Sequence, residues 1–431
     1  MNITVPLLGL VDTAIVGHMG NAAYIGAIAV GSMIFNLVYW VFGFLRMGTS
    51  GMTAQAYGRG DFVEARRLLK RSGMVALVVA SLLLLLQWPL CELMLALIGP
   101  TADVRPLAAT YFYIVIWGAP ASLGLFALMG WFVGLQNTRI PMLVSILQNV
   151  INILASLTLV YGLGMKVEGV ALGTVVAQYA GLVIALMLIR NVNGNVNGNG
   201  NVNGNGNDNG NDNGNGKMQP SSFKTFFAVN RDIFLRTLCL VAVNLYFTSA
   251  GARQGAAILA VNTLLMQLYL LFSYVMDGFA YAGEALGGRY WGVRDDAAYH
   301  AVVRRLFGWG AVMTVLFTTV YIIGGQPFLH LLTDEPLVVK ASYDYVWWAY
   351  LIPVAGVAAF IWDGIFIGTT QTRGMLQSSF VAAVVFFLGV TLLMPVMSNH
   401  GLWLSMLLFL LSRGIVQSVI YWQKYVKIHN S

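Results

Sequence analysis

The chain has 431 residues, of which 58% are hydrophobic and only 10% are charged, and its formal net charge is +7. Its mean hydropathy of +0.73 excludes a water-soluble globular protein, because a surface that meets water needs many more charged side chains. The Lys and Arg residues form no patch interleaved with aromatic residues, so a nucleic-acid partner is not expected. Cys91 and Cys239 lie singly in apolar runs, so neither a disulfide framework nor a metal site is expected.

Apolar runs of about membrane-spanning length follow one another along the whole chain, which predicts a protein that crosses the lipid bilayer many times. Between loop signals we place twelve helices, at about 2–17, 24–48, 69–97, 107–135, 141–163, 168–190, 231–250, 256–282, 301–324, 342–367, 375–396 and 402–423. The first run is slightly short for a span, and we expect the natural first helix to begin upstream of Met1. No cleavable signal peptide is expected.

The basic residues predict the orientation of these helices. Nearly all Lys and Arg residues fall in alternate loops or at the helix ends beside them, including Arg236 at the start of the seventh helix. The opposite loops hold only Arg105, Lys166, Arg253 and Lys340. Since Lys and Arg accumulate on the cytoplasmic side, we expect both termini and the middle linker to be cytoplasmic.

Residues 191–216 alternate Asn with mostly Gly and cannot bury enough apolar surface to order themselves. This tract divides six helices from six. We therefore predict an N-lobe over 1–190, a flexible cytoplasmic linker over 191–222 and a C-lobe over 223–431.

The two lobes carry related segments. GTSGMTAQAYGR at 48–59 aligns with GFAYAGEALGGR at 278–289, an offset of 230 residues, and GLQNTR at 134–139 aligns with GTTQTR at 368–373, an offset of 234. An even number of helices gives both lobes the same orientation, so their symmetry axis should follow the membrane normal. The predicted fold is an all-α polytopic membrane protein, with twelve transmembrane helices in two pseudo-symmetric six-helix bundles around a central cleft.

Carboxylates inside apolar spans are the most informative positions, because a charge at membrane depth costs at least roughly 2.5 to 3.5 kcal/mol. Asp12 lies in the first helix, about five residues from its outer end. A carboxylate that binds either a proton or a cationic ligand makes the two mutually exclusive, which is the simplest basis for antiport. The alternative is a structural Asp that hydrogen-bonds to a neighbouring helix.

Three further carboxylates indicate a second polar cluster, in the C-lobe. Asp277 and Glu284 are seven residues apart, so they share one face of the eighth helix, and Asp363 lies late in the tenth. For Glu284 the alternative is a solvated carboxylate that pairs with Arg289 near the cytoplasmic end.

Polar side chains on the fifth and sixth helices either line a cavity or join the helices by hydrogen bonds, and both interpretations stay open. They are Asn149, Asn152, Ser156, Thr174 and Gln178.

The sequence has no HExxH, GxSxG or Walker A pattern, and its His residues are scattered. We therefore expect no enzyme and no catalytic residues, and we expect transport driven by an ion gradient.

Several motifs together resemble the multidrug and toxic compound extrusion (MATE) family, in particular its DNA-damage-inducible (DinF-like) branch. They are NITVPLLGLVDTAIVGHMG, FLRMGTSGMTAQAYGRGD, WFVGLQNTRIPM, MDGFAYAGEALGGRYWG and IWDGIFIGTTQTRGM. The resemblance implies a twelve-helix antiporter of the bacterial inner membrane without a cofactor. Such proteins export cationic or amphipathic small molecules in exchange for protons, the usual proposal for this branch, or for sodium.

Residue by residue, the resemblance implies an N-lobe site. Asp12 matches the first-helix aspartate, Asn152 the fifth-helix asparagine and Thr174 the sixth-helix threonine, while Tyr111 is a looser match in the fourth helix. Ser156 stands where many relatives carry a second carboxylate, which weakens a two-aspartate proton site.

Two alternatives remain at the level of function. A lipid-linked oligosaccharide flippase of the same superfamily should show several cations for pyrophosphate, whereas only Arg46 and Arg413 lie inside predicted helices and are not assigned to a loop or an adjoining helix end. A channel would need a continuous polar path, usually from repeated subunits. We expect the protein to act as a monomer.

Overall fold

The computed structural model describes residues 22–200, 223–332 and 336–429. Within these ranges the secondary structure is helical, and no strand occurs. Eleven helical segments are long and apolar enough to cross a membrane, and they match the last eleven of the twelve predicted spans. The first predicted helix, at 2–17, lies outside the described residues.

The chain forms two compact units, Met1–Phe227 and Ala228–Ser431. The described helices that begin in the first unit are α1 (Ala22–Val41), α2 (Phe44–Gly58), α3 (Phe62–Leu85), α4 (Gln87–Ile98), α5 (Arg105–Val115), α6 (Ala119–Gly134), α7 (Arg139–Leu157), α8 (Val167–Gly200) and α9 (Phe223–Arg253). Helix α9 continues into the second unit.

The second unit continues with α10 (Ala256–Ala282), α11 (Gly288–Val293), α12 (Asp296–Leu332), α13 (Pro336–Gly368), α14 (Thr372–Met397) and α15 (Asn399–His429). A π-helical segment, Gly283–Gly287, joins α10 to α11. A helix that widens locally in this way has one extra residue in a turn, which redirects the side chains that follow.

Several predicted helices have different bounds in the structure, and the third and the sixth are examples. The predicted helix 69–97 is broken at Leu86 into α3 and α4. Pro89 explains the break, since a proline clashes with the carbonyl group four residues before it, here that of Leu85. The sixth helix, α8, ends at Gly200 instead of 190, so residues 191–200 of the predicted linker continue the helix in the structure.

Glycines let the second and fourth spans of each unit approach closely. A methyl group on Gly130 of α6 would overlap the carbonyl oxygen of Arg46 in α2, and one on Gly364 of α13 would overlap that of Ala280 in α10. Each first-unit residue precedes its second-unit counterpart by 234 positions. Contacts this close tolerate only hydrogen at Cα, as is common between membrane helices.

The same offset of 234 relates several backbone features of the two units. Gly60 and Arg294 both have positive φ angles, 72° and 61°, and so do Gln136 and Thr370, at 62° and 54°. The aspartates that follow the first pair both accept a hydrogen bond from the N–H three residues later, at 2.8 and 2.9 Å. The internal repeat is therefore confirmed in the fold.

One of the two predicted alignments was wrong in register. The segments 48–59 and 278–289 were paired at an offset of 230, whereas the structure relates these helices at 234. The four-residue difference is about one helical turn, so a shift of this size keeps small residues on the same helix face and gives a similar local pattern.

Candidate functional site

The first unit brings two of the predicted site residues into direct contact. The Asn152 side-chain amide on α7 donates a hydrogen bond to the Thr174 hydroxyl on α8, at 3.2 Å. The Thr174 hydroxyl donates to the carbonyl oxygen of Val170 in its own helix, at 3.1 Å. Asn152 is 1% exposed. The amide group therefore links the fifth and sixth spans inside the unit.

Ser156 lies one turn further along α7 and is fully buried. Its hydroxyl packs against Gly173 of α8, where a larger residue would collide with it. Three buried oxygens of this region accept no hydrogen bond within the described part of the chain: Asn152 Oδ1, Ser156 Oγ and Gln178 Oε1. We call Asn152, Ser156, Thr174 and Gln178 the N-unit polar face.

Tyr111 and Asn149 are placed differently from the Asn152–Thr174 pair. Tyr111 lies on α5, where it is 3% exposed and its ring packs against Gly31 of α1. Asn149 is half-buried, one turn before Asn152. Asp12, the predicted ion-coupling residue, lies outside the described residues.

The second unit contains a buried charged cluster around Asp363, on α13. Its Oδ2 accepts hydrogen bonds from the guanidinium groups of Arg236 and Arg413, the latter at 3.3 Å, and its Oδ1 accepts one from the Gln417 amide at 2.7 Å. All four side chains are buried. Two guanidinium groups share one carboxylate, so this set of four residues, the C-unit charged cluster, has one more positive than negative charge.

Arg236 was placed wrongly from the sequence, with the basic residues at the cytoplasmic helix ends. The helix that contains it, α9, begins at Phe223 instead of 231, so Arg236 lies well inside the helix, and it is 6% exposed. The signal was a single Arg within the apolar stretch IFLRTLCLV. Only the position of Asp363 on another helix explains why that Arg is buried.

Arg413 has aromatic as well as ionic partners. Its guanidinium carbon lies 5.7 Å from the ring centres of both Phe360 and Phe409. Aromatic faces stabilise a cation that has lost water, which helps this arginine to stay buried.

The other two carboxylates of the predicted C-lobe cluster lie on α10 and in the segment after it. Asp277 is half-buried, and it and Asp363 both interact electrostatically with the Tyr269 hydroxyl. Glu284 lies in the π-helical segment and is 1% exposed, so it is not a solvated carboxylate. Among the described residues, no three His, Cys, Asp or Glu side chains lie at positions that could hold a metal ion.

Comparison with known proteins gives consistent matches over the chain. The MatE family model matches residues 1–158 and 233–392. The chain is 37% identical to DNA damage-inducible protein F of Escherichia coli (strain K12), over 98% of this chain and 89% of that protein. It is 25% identical to the "Probable multidrug resistance protein NorM" of Thermotoga maritima, over 79% of this chain and 71% of that protein.

The fold also matches solved structures. One is described as the outward-facing conformation of a multidrug resistance MATE family transporter of the MOP superfamily. It superposes with a TM-score of 0.84 and covers 98% of this chain and 92% of its own, at 16% identity. At that identity the match concerns the fold.

Proposed function

Because this chain belongs to the MatE family, in its DinF-like branch, we propose that it is a secondary active antiporter of the bacterial inner membrane. It exports cationic or amphipathic compounds in exchange for protons. The observation that carries this proposal is the family match in both halves, together with 37% identity to the E. coli protein over nearly the whole chain. The multidrug resistance named for the Thermotoga relative supports a drug-like substrate.

In the proposed cycle Asp12 holds either a proton or a cationic substrate. The deprotonated carboxylate attracts the cation, and protonation from outside removes that attraction and releases the substrate outward. Since one group cannot hold both ligands, entry of a proton and exit of a substrate are coupled.

The N-unit polar face supports binding of a cation. Three buried acceptor oxygens, on Asn152, Ser156 and Gln178, have no hydrogen-bond donor within the described part of the chain. A buried oxygen without a donor costs free energy, and a protonated amine supplies the missing donors. A substrate with such a group would therefore gain hydrogen bonds as well as charge attraction.

The C-unit charged cluster supports placing ion coupling in the first unit. Both oxygens of Asp363 already accept hydrogen bonds, and two guanidinium groups neutralise its charge. A sodium ion would have to compete with both arginines for this carboxylate.

The two buried arginines are also the one observation that favours the alternative, a lipid-linked oligosaccharide flippase. Both guanidinium groups, however, bind the same carboxylate, which leaves less positive charge for a pyrophosphate. The antiporter is therefore the better supported function.

The test is efflux of ethidium from membrane vesicles with an imposed proton gradient and, separately, an imposed sodium gradient. We expect efflux to follow the proton gradient in the wild type and in Asp103→Asn, a control at an exposed loop carboxylate. We expect none in Asp12→Asn. Normal efflux by Asp12→Asn would refute the role of Asp12, and efflux that follows only sodium would change the coupling ion.

A further inference from the structure

A small cavity lies in the second unit between the start of α12 and the end of α15. Its volume is about 250 Å³, and its lining consists of Ala297, His300, Ala301, Arg304, Tyr421 and Trp422. Water occupies roughly 30 Å³ per molecule in the liquid, so a phosphate-sized group fits in this space. We call it the interface cavity, because we expect the membrane–water interface at its level.

The lining is positive on one side and aromatic on the other. Arg304 is exposed, and its guanidinium has no hydrogen bond or ion pair within the described ranges. No carboxylate lines the cavity. Tyr421 is fixed by His300, whose Nδ1 lies 2.5 Å from its hydroxyl oxygen, and by Trp362, with ring centres 4.5 Å apart. A guanidinium with free donors beside fixed polar groups suits an oxyanion, because it forms two parallel hydrogen bonds to phosphate oxygens.

Apolar side chains continue from the cavity along both helices. Val312 and Val315 follow Arg304 on α12 and are 52% and 68% exposed, while Ile415 and Val419 precede Trp422 on α15 and are 59% and 48% exposed. The start of α12 and the end of α15 meet at the cavity, so the two helices run in opposite directions there. The exposed residues that follow Arg304 and those that precede Trp422 therefore both lie between the cavity and the centre of the spans. In a membrane such a surface is covered by acyl chains.

The cavity also lies at the level where lipid headgroups are expected. The basic residues near it, including Arg294 and Arg305, belong to the loops and helix ends predicted to be cytoplasmic, and Trp422, in the last turns of α15, is 59% exposed. Tryptophan is enriched at the boundary between acyl chains and headgroups, and the cytoplasmic leaflet is rich in anionic lipids.

We propose that the interface cavity binds the phosphate group of an anionic phospholipid, such as phosphatidylglycerol. Arg304 pairs with the phosphate oxygens, Tyr421 and Trp422 contact the glycerol region, and the acyl chains lie along the exposed valines and isoleucine. The apolar run favours a lipid over free phosphate as the source of the anion, because free phosphate gains nothing from apolar contacts. The site is independent of the efflux function.

The test measures the melting temperature of the purified full-length protein in neutral detergent, and lipid retention by native mass spectrometry. Wild type is titrated with phosphatidylglycerol, with phosphatidylcholine and with inorganic phosphate. The variants are Arg304→Gln and the control Arg305→Gln, which changes an exposed arginine next in sequence that does not line the cavity.

We expect phosphatidylglycerol to raise the melting temperature of the wild type and of Arg305→Gln, and to bind Arg304→Gln about tenfold more weakly, since a charge-assisted pair is lost. Phosphatidylcholine and inorganic phosphate should have little effect. Equal binding by Arg304→Gln and the control would overturn the proposal, and so would inorganic phosphate matching the lipid.

Discussion

The two units differ in how their buried polar side chains use their hydrogen-bonding capacity. In the first unit the N-unit polar face is neutral, and three of its oxygens lack donors within the described ranges. In the second unit Asp363 accepts three hydrogen bonds from side chains on two other helices. The first arrangement leaves hydrogen-bonding capacity for a ligand, whereas the second uses it within the protein.

Asp363→Asn should lower stability strongly. The substitution removes the only negative charge that contacts Arg236 and Arg413 in the C-unit charged cluster, and breaking a buried ion pair typically costs about 3 to 5 kcal/mol. Thermal unfolding of the purified protein measures this cost.

A matched control is Glu92→Gln, which breaks an exposed ion pair with Arg105 at 2.7 Å. Exposed pairs contribute about 0 to 1 kcal/mol, so the melting temperature should hardly change. Equal effects of the two substitutions would show that the cluster of Asp363 contributes no more than a surface pair.

Asn152→Ala should reduce efflux. It removes the hydrogen bond between α7 and α8 together with one of the free acceptor oxygens, a loss of about 1 kcal/mol that corresponds to a rate about fivefold lower. Initial rates of ethidium efflux at equal protein amounts measure the effect. Thr158→Val is the control, because its hydroxyl, just after α7, donates a hydrogen bond of 2.7 Å to the carbonyl oxygen of Leu154 in that helix and makes none to α8. An equal loss in both variants would argue against a role for the amide.

At the scale of helices, packing within each unit depends on glycines that lie directly against the backbone of a neighbouring helix. Gly130 and Gly134 of α6 lie against the backbone of α2, and Gly364 and Gly368 of α13 lie against α10 and the π-helical segment. A methyl group at Gly134 would lie 2.7 Å from the carbonyl oxygen of Ser50, and one at Gly368 would lie 2.7 Å from that of Glu284. The close approach of these helices is therefore a shared property of both units.

Gly130→Ala should destabilise the first unit, because the new methyl group meets backbone atoms of α2 that cannot move aside. We expect a cost of about 1 to 3 kcal/mol, seen as a lower melting temperature. The control Gly73→Ala meets no atom within 4 Å and should be neutral or stabilising by about 0.5 to 1 kcal/mol, since alanine favours a helix. A tolerated Gly130→Ala would contradict the close backbone contact between α2 and α6.

For the whole molecule, the two units share backbone geometry but differ in chemistry. Under the offset of 234, buried Met129 of the first unit is the counterpart of buried Asp363 in the second. A common backbone therefore carries an apolar side chain in one half and the centre of the charged cluster in the other. Such a difference lets the halves take different roles, with coupling proposed in the first.

The orientation of the whole chain is open to a direct test. A green fluorescent protein fused after Ser431 should fluoresce, and an alkaline phosphatase fused there should be inactive, because the distribution of Lys and Arg predicts a cytoplasmic C-terminus. The control is the same pair of fusions after Arg105, in a loop predicted to be external, where the phosphatase should be active and the green fluorescent protein should not fluoresce. An active phosphatase at Ser431 would invert the predicted topology and move the interface cavity to the outer leaflet.

The sequence by itself determined the number and place of the described spans, because a membrane requires about 20 apolar residues per helix and this requirement is visible locally. It also determined the family and the repeat. Only the tertiary structure decided that Arg236 forms an ion pair with Asp363 and that an unpaired Arg304 faces a cavity. It also decided that the alignment of 48–59 with 278–289 is shifted by about one helical turn. These facts depend on which helix faces meet, and residues far apart in sequence give no local signal of that.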